Sequence, residues 1–335
     1  MKEKIVMAHG GGGRLTKALV DELIVTELGN SALNKLDDSA VIKTPGKKLA
    51  FTTDSYVVKP IFFKGGDIGK LALCGTVNDL AMNGARPLFI SLGLIIEEGF
   101  SIENLEKIIR SIKKAASEAR VKVVCGDTKV VERGGADGIF INTSGIGKII
   151  SEREISSSKV LPGDAVIVSG SIGDHGIAVL SQRKGIEFET NLKSDCAPLN
   201  GLAEKILKTG AEIHCMRDPT RGGLATVLNE VASKSKIGIE INEESVPIKE
   251  PVRGACELLG LDPLYVANEG KLVAFVREKD ASKILKAIRR HRYGRGGGVI
   301  GRVGSKNKGM VVLKTSIGGT RILEEYSGEQ LPRIC

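Results

Sequence analysis

Carboxylates gather where strands or helices would end. Asp37-Asp38 stand before the apolar pair Val41-Ile42, Asp54 closes Ala50-Phe51-Thr52-Thr53-Asp54, and Asn78-Asp79 lie inside a helix otherwise apolar on that face. Asp127 follows Cys125-Gly126 after a strand, and Asp218 opens Asp218-Pro219-Thr220-Arg221-Gly222-Gly223. Several carboxylates without neighbouring Cys or His suit a hard cation such as Mg2+, which takes oxygen ligands and bridges to substrate phosphates. Taken singly, each is as readily a turn or cap residue, and Asp218 before Pro219 suits an N-cap with proline at the first helical position. Their number, and the polar pair inside an apolar helix, favour a metal–nucleotide site.

Glycines cluster where helices would begin. Gly10-Gly11-Gly12-Gly13 precedes Arg14, Gly65-Gly66 precedes a second helix, Ser169-Gly170-Ser171-Ile172-Gly173 opens a third and Arg221-Gly222-Gly223 a fourth. Free N–H groups at such starts bind phosphate oxygens. The signal is weak alone, because tight turns need glycine anyway and no G-x-x-x-x-G-K-[ST] loop is present. Cys335 ends the sequence on a polar stretch. There it could serve as nucleophile or carrier of a covalent group, or be an accident of a tolerant terminus. Lys129, in Gly126-Asp127-Thr128-Lys129, and Glu269, in Asn268-Glu269-Gly270, each end an apolar run. From the residues alone they read as a surface lysine and a turn glutamate.

These residues need elements to hold them. Helical spacing is expected over 15–28, 65–84 and 101–119, the last capped by Ser101, and strands over 48–58, 88–96, 121–124 and 138–146. After Pro162-Gly163 the alternation resumes, with strands at 165–169, 237–241, 264–276, 297–303, 309–314 and 320–323. Helices are expected there near 173–183, 198–208, 221–234, 250–259 and 280–291. The fold class is α/β (α+β) in two domains. The expected divisions are an N-terminal glycine-rich arm and helix at 1–42, domains at 43–155 and 156–323, and a tail at 324–335.

Composition narrows the function. The 335 residues carry 49 Lys and Arg against 40 Asp and Glu, a net +9, but the cations are scattered and aromatics are only 4%, which argues against nucleic acid. No run approaches the roughly 20 apolar residues of a membrane span. No secretory signal is visible at Met1 to Met7. Six cysteines without a C-x-x-C pair read as reduced cytoplasmic thiols, not a zinc site or disulfide scaffold.

Several motifs resemble a known family. His9-Gly10 with Gly12-Gly13-Arg14, Asp37-Asp38-Ser39-Ala40-Val41, Thr52-Thr53-Asp54, Gly75-Thr76-Val77-Asn78-Asp79-Leu80-Ala81 and Asp218-Pro219-Thr220-Arg221-Gly222-Gly223 resemble the aminoimidazole-ribonucleotide-synthetase, or PurM-like, superfamily. Gly126-Asp127-Thr128-Lys129-Val130-Val131, Gly173-Asp174-His175-Gly176, Ala267-Asn268-Glu269-Gly270-Lys271 and Gln330-Leu331-Pro332-Arg333-Ile334-Cys335 are similar to its hydrogenase-maturation carbamoyl dehydratases. That resemblance implies a homodimer whose first domains form a β-barrel-like core. It implies ATP-dependent dehydration of a thiocarbamate on Cys335 to a thiocyanate, the source of the cyanide ligand in nickel–iron hydrogenase. The carbamoyltransferase HypF would load Cys335, and the HypC–HypD complex would accept the cyano group. By motif match Glu269 is the base and Lys129 orients the thiocarbamate. Thr52, Asp54, Gly75, Asn78, Asp79, Gly126, Asp127, Arg221 and Gly222 would bind ATP, with Mg2+ held among Asp37, Asp38, Asp54, Asp79, Asp127 and Asp218. A flexible tail would carry the reacting thiol between sites.

Overall fold

The computed structural model describes residues 13–28, 33–44, 47–183 and 191–325. His9, the first three glycines of the arm, and the tail with Cys335 lie outside the described residues. The first domain opens with α1 (Arg14–Leu19), a π-helical turn (Val20–Ile24) and α2 (Val25–Leu28). It continues through β1 (Ala40–Thr44), β2 (Lys47–Tyr56), the short pair β3 (Phe62–Phe63) and β4 (Gly66–Asp67), α3 (Ile68–Met82), β5 (Ala85–Glu97), α4 (Ile102–Ala119), β6 (Lys122–Val131) and β7 (Ile139–Ile149). The second comprises β8 (Asp164–Val168), α5 (Asp174–Leu180), α6 (Asn200–Leu207), β9 (Ile213–Arg217), α7 (Gly223–Ser235), β10 (Gly238–Asn242), α8 (Glu250–Leu259), β11 (Val273–Arg277), α9 (Glu278–Arg289), β12 (Gly298–Gly304), β13 (Val311–Lys314) and β14 (Thr320–Ile322).

The centre of the first domain is α3. Its cap is Asp67, whose carboxylate accepts from Gly69 N (2.8 Å) and Lys70 N (3.0 Å) and so satisfies two of the helix's unpaired donors. Thirteen of its fifteen residues are buried, because the helix is apolar nearly all round. One side packs on the sheet β1-β2-β7-β5-β6, and α4 covers another. That sheet is antiparallel except for the parallel β5–β6 pair. Among the described residues it stays open, with β1 and β6 as edges, so no barrel closes within one chain.

The second domain carries the sheet β14-β13-β10-β12-β8-β11-β9. Strand β8 is buried at every position and uniformly apolar after Asp164, as a strand covered on both faces must be. Val166 and Val168 meet α7, while Ala165 and Ile167 meet α6 and α9. Ala81 and Met82, at the end of α3, belong to this second core, so one helix serves both domains.

Several elements differ from expectation, among them β1, β3 and β4, which were not expected as strands. Strand β6 runs on through Cys125 to Val131 instead of ending at Val124. Strand β9 was not expected. The strand expected over 264–276 begins only at Val273, after a 3-10 turn at Pro263–Tyr265.

Candidate active site

Strand β2 and helix α3 build one wall of a cavity of about 660 Å3 between the domains. Period-two alternation sends Thr52, Asp54 and Tyr56 to the α3 side of β2. Gly75 and Asp79 meet them from one face of α3, four residues apart. The Thr52 hydroxyl lies 3.0 Å from Asp79 Oδ2 and 3.1 Å from the Asp38 carbonyl, which ties β2, α3 and the segment before β1 together.

The opposite wall comes from the second domain: Arg217 and Asp218 at the end of β9, Thr220 and Arg221 in the loop that follows, Thr226 and Glu230 on α7, and Glu269 before β11. The loop does not make the helix start expected of Asp218-Pro219. Helix α7 begins at Gly223 with Gly222 as its cap at φ +77°, a conformation that favours glycine. A Cβ on Gly222 would also fall 1.9 Å from Thr226 Oγ1. Asp218 is thereby released from capping and lines the cavity.

Of the residues singled out from the sequence, the fold brings Asp37, Asp38, Thr52, Asp54, Gly75, Asp79, Asp218, Arg221 and Glu269 to this cavity, and Gly222 borders it. Asn78 is not among the lining residues. Buried in α3, it donates to Ala197 O (3.2 Å) and accepts from Leu199 N (2.7 Å), fastening the segment before α6. Gly126, Asp127 and Lys129 are not there either. They lie on the edge strand β6, where Lys129 Nζ and Asp127 Oδ2 are 3.0 Å apart and both side chains are 69% exposed. The hydrogen bond from Lys129 holds the Asp127 carboxyl below its usual range.

Sequence reading missed Tyr56, Arg217, Thr226, Glu230 and Asp195. Tyr56 follows Asp54 at strand period, which could have flagged it. Arg217 needed β9 to be recognised. Asp195 carried no signal, since its role exists only through distant partners: its Oδ1 accepts from Glu269 N (3.1 Å) and its Oδ2 from Lys271 Nζ (2.9 Å).

The cavity is acidic although the chain is basic. Asp21, Asp37, Asp38, Asp54, Asp79, Asp218, Glu230 and Glu269 line it against Lys17, Lys234, Arg217 and Arg221, eight carboxylates to four cations. Burial, and then mutual repulsion, push Asp79 well above its usual range. Burial does the same to Asp38, although Arg217 Nε lies 2.7 Å from its Oδ1. Asp218 is pushed up to about 6 by burial. Glu269 is raised well above the normal carboxylate range, first by burial and then by Cys196, Asp218, Asp195 and Asp54. Asp38 Oδ2 and Thr226 Oγ1 are buried without hydrogen-bond partners.

This donor set fits a hard divalent cation. A surplus of buried carboxylate with an orphaned oxygen is what a cation relieves. Among the described residues no three carboxylates already converge as a cage. Mg2+ does not need one, since it is held by one or two carboxylates plus water and substrate phosphate. Asp38, Asp54, Asp79 and Asp218 are the available ligands. Asp37 is engaged by Ser156 (2.9 Å) and Lys234 (3.1 Å), and Asp127 lies away on β6.

Two domains enclosing such a cavity define the AIR synthase-related class, and family models agree: AIR synthase related protein, N-terminal domain, matches residues 36–149 and its C-terminal domain residues 162–314. A carbamoyl dehydratase HypE of Azotobacter vinelandii is 48% identical over 331 residues, covering 99% of this chain and 97% of that protein. A solved HypE–HypF complex is 48% identical with a TM-score of 0.88, over 92% of this chain and 100% of the other. HypE in complex with ATP is 47% identical with a TM-score of 0.83, over 99% and 100%. The chain belongs to the HypE family of carbamoyl dehydratases.

Proposed function

We propose that this chain uses ATP to dehydrate a carbamoyl group carried on the Cys335 thiol, giving a thiocyanate, ADP and phosphate. The carbamoyl oxygen forms a bond to the γ-phosphorus and ADP departs. The C–O bond then breaks, the oxygen leaves within phosphate, and the nitrogen gives up two protons, one to Glu269 and one to the departing phosphate, as the C≡N bond forms. The single observation that carries the reading is the buried Glu269 facing an acidic cavity, in a chain 47% identical over 99% of its length to a HypE solved with ATP.

Glu269 is the base. Burial raises its carboxyl well above the usual range, which makes it a stronger proton acceptor than an exposed carboxylate. Asp38, Asp54, Asp79 and Asp218 would hold Mg2+, which supplies charge neutralisation on the transferring phosphoryl group. Thr52, Arg221 and the loop around Gly222 would hold the nucleotide.

Leu323 O accepts from Asn229 on α7 (2.9 Å), so the chain leaves the fold beside the helix whose Thr226 and Glu230 line the cavity. Cys335 lies ten residues beyond Glu325, a span of at most about 36 Å. The thiol is therefore within reach of its own site.

Gly126, Asp127 and Lys129 would act in a homodimer. The outer face of the first sheet exposes Phe51, Phe89, Ile95 and Ile146, and the edge strand β6 exposes Val124 and Val130. Such a face is covered by a second copy of the chain, whose β6 would bring Lys129 to orient the thiocarbamate. HypF, the partner in the solved complex of a relative, would load Cys335, and HypC–HypD would accept the cyano group.

Intact-protein mass spectrometry tests this. Incubated with HypF, carbamoyl phosphate and Mg-ATP, the wild type gains a carbamoyl adduct that loses one water on the peptide containing Cys335. Glu269→Gln loads but stalls before water loss, and Cys335→Ala does neither. An adduct on Cys74, Cys125 or Cys256, or dehydration undiminished in Cys335→Ala, sinks the reading.

A further inference from the structure

The main chain of Glu269 is held at both ends by one short strap. Its N–H donates to Asp195 Oδ1 (3.1 Å) and its carbonyl accepts from Ala197 N (3.2 Å). The two segments lie in backbone contact, since a Cβ on Gly270 would fall 1.8 Å from Asp195 O. The other oxygen of the same carboxylate, Asp195 Oδ2, accepts from Lys271 Nζ (2.9 Å), so one side chain spans Glu269 to Lys271. The strap is itself anchored in both domains. Asn78 on α3 donates to Ala197 O and accepts from Leu199 N. His175 on α5 has its Nδ1 2.8 Å from Ser194 Oγ, which also accepts from Cys196 N (3.0 Å). Beyond Glu269, Asn268 N and Nδ2 both donate to Pro219 O (3.1 and 2.9 Å), in the loop that carries Asp218.

Neither Asp195 nor Lys271 is among the residues lining the cavity, so the pair meets the site through Glu269. Their side chains are 3% and 11% exposed. A buried ion pair is weak evidence for stability, because apolar residues of similar volume often serve as well. What apolar residues could not do is accept the Glu269 N–H. A general base works only within hydrogen-bond reach of the proton it takes. We infer that Asp195 is a positioning residue for the dehydration: its Oδ1 fixes the main chain at Glu269 so that the Glu269 carboxylate stands within reach of the carbamoyl nitrogen, and Lys271 holds the Asp195 carboxylate in turn. The inference rests on the dehydratase reading above. Asp195 exchanges no proton with the substrate; the proton from nitrogen passes to Glu269 alone.

The test compares two double variants of the full chain, neither of which strands a charge. Asp195→Ala with Lys271→Met removes the acceptor of the Glu269 N–H. Asp195→Asn with Lys271→Gln keeps it, since the asparagine oxygen accepts from Glu269 N while its amide donates to the glutamine carbonyl. Each is loaded on Cys335 with HypF and carbamoyl phosphate, then given Mg-ATP, and water loss is followed by mass spectrometry in a single turnover. The rate should fall about 100-fold in the first variant, the scale of a misplacement of about 1 Å, and stay within about threefold of wild type in the second. Mg-ATP affinity by calorimetry should be unchanged in both. Water loss at the wild-type rate in the first variant overturns the inference. So does a loss of Mg-ATP affinity of about tenfold, which assigns the pair to the nucleotide wall. A slow second variant overturns it whatever the first does, because the acceptor is then present without effect. Absence of water loss in the wild type removes the dehydratase reading and this inference together, whereas a working wild type with an unimpaired first variant removes only the inference.

Discussion

Replacing Asp195 with alanine strands a charge. The Lys271 ammonium lies 2.9 Å from the Asp195 carboxylate, with the two side chains 11% and 3% exposed. Breaking such a pair from one side leaves an uncompensated buried charge and costs about 3–5 kcal/mol. Against a total stability of about 5–15 kcal/mol this is a large share. Urea denaturation followed by far-UV circular dichroism measures it directly, since the chain has no tryptophan to report unfolding. The second variant decides the cause. Asp195→Ala with Lys271→Met removes the stranded ammonium as well and should recover about 2 kcal/mol of the loss. The deficit also depends on pH. Burial would raise the Asp195 carboxyl, but Lys271, His175 and the Glu269 N–H overcome it and hold it below its usual 3.8. A depressed carboxylate contributes stability above its unfolded pKa and loses it as pH falls through the folded value. The gap between wild type and Asp195→Ala should therefore be full at pH 7 and narrow below about pH 4. A single variant within about 0.5 kcal/mol of wild type, or a double variant no more stable than the single, refutes the reasoning.

Other perturbations probe the cavity and the sheet. Asn at Asp54, Asp79 or Asp218 should weaken Mg-ATP binding about tenfold or more in calorimetry while circular dichroism is unchanged, because the amide keeps the shape and loses the charge. The carboxyls raised by burial, Asp38, Asp79 and Glu269 with Asp218 at about 6, make the opposite pH contribution to that of Asp195. Their share of stability is complete below the unfolded pKa and is lost as pH rises through the folded values. Melting in EDTA should therefore be lower at pH 7.5 than at pH 5, with Mg-ATP restoring more at pH 7.5. Val124→Glu with Val130→Lys on β6 should give a folded monomer by light scattering, with water loss from the loaded thiol abolished. A dimer with full turnover would remove the edge strand from the interface.

Legibility in the sequence followed burial. Strand β8 and helices α3 and α4 could be read because their neighbours impose apolar patterns on them. Strand β6 could not be followed past Val124, because an edge with nine exposed residues leaves no alternation for a core to write. Strand β9 was hidden by His214, whose polar ring is buried against Asp164 (2.6 Å), so it reads as an interruption until the partner is seen. Asp38, Asp54, Asp79 and Asp218 were legible as a set because each ends or interrupts an apolar run. Asp195 and Arg217 were not, since each acts through a residue at least 70 positions away: Lys271 for one, Asp38 for the other. Asn78 was placed correctly in its helix but given a ligand role, while its amide holds backbone.

The hydrogen bond from Asn229 to Leu323 has a kinetic consequence. It sets the centre of a sphere about 43 Å in radius, the full extension of the twelve residues from Leu323, within which the Cys335 thiol must stay. One thiol in that volume is a local concentration on the order of millimolar. Once the dimer is complete, turnover of a loaded chain should then be first order and independent of protein concentration, with no Michaelis constant for the carbamoyl group and one only for the nucleotide. On the proposed reading each chain would convert one carbamoyl group per loading, so sustained turnover would require the thiol to be recharged and relieved of its product.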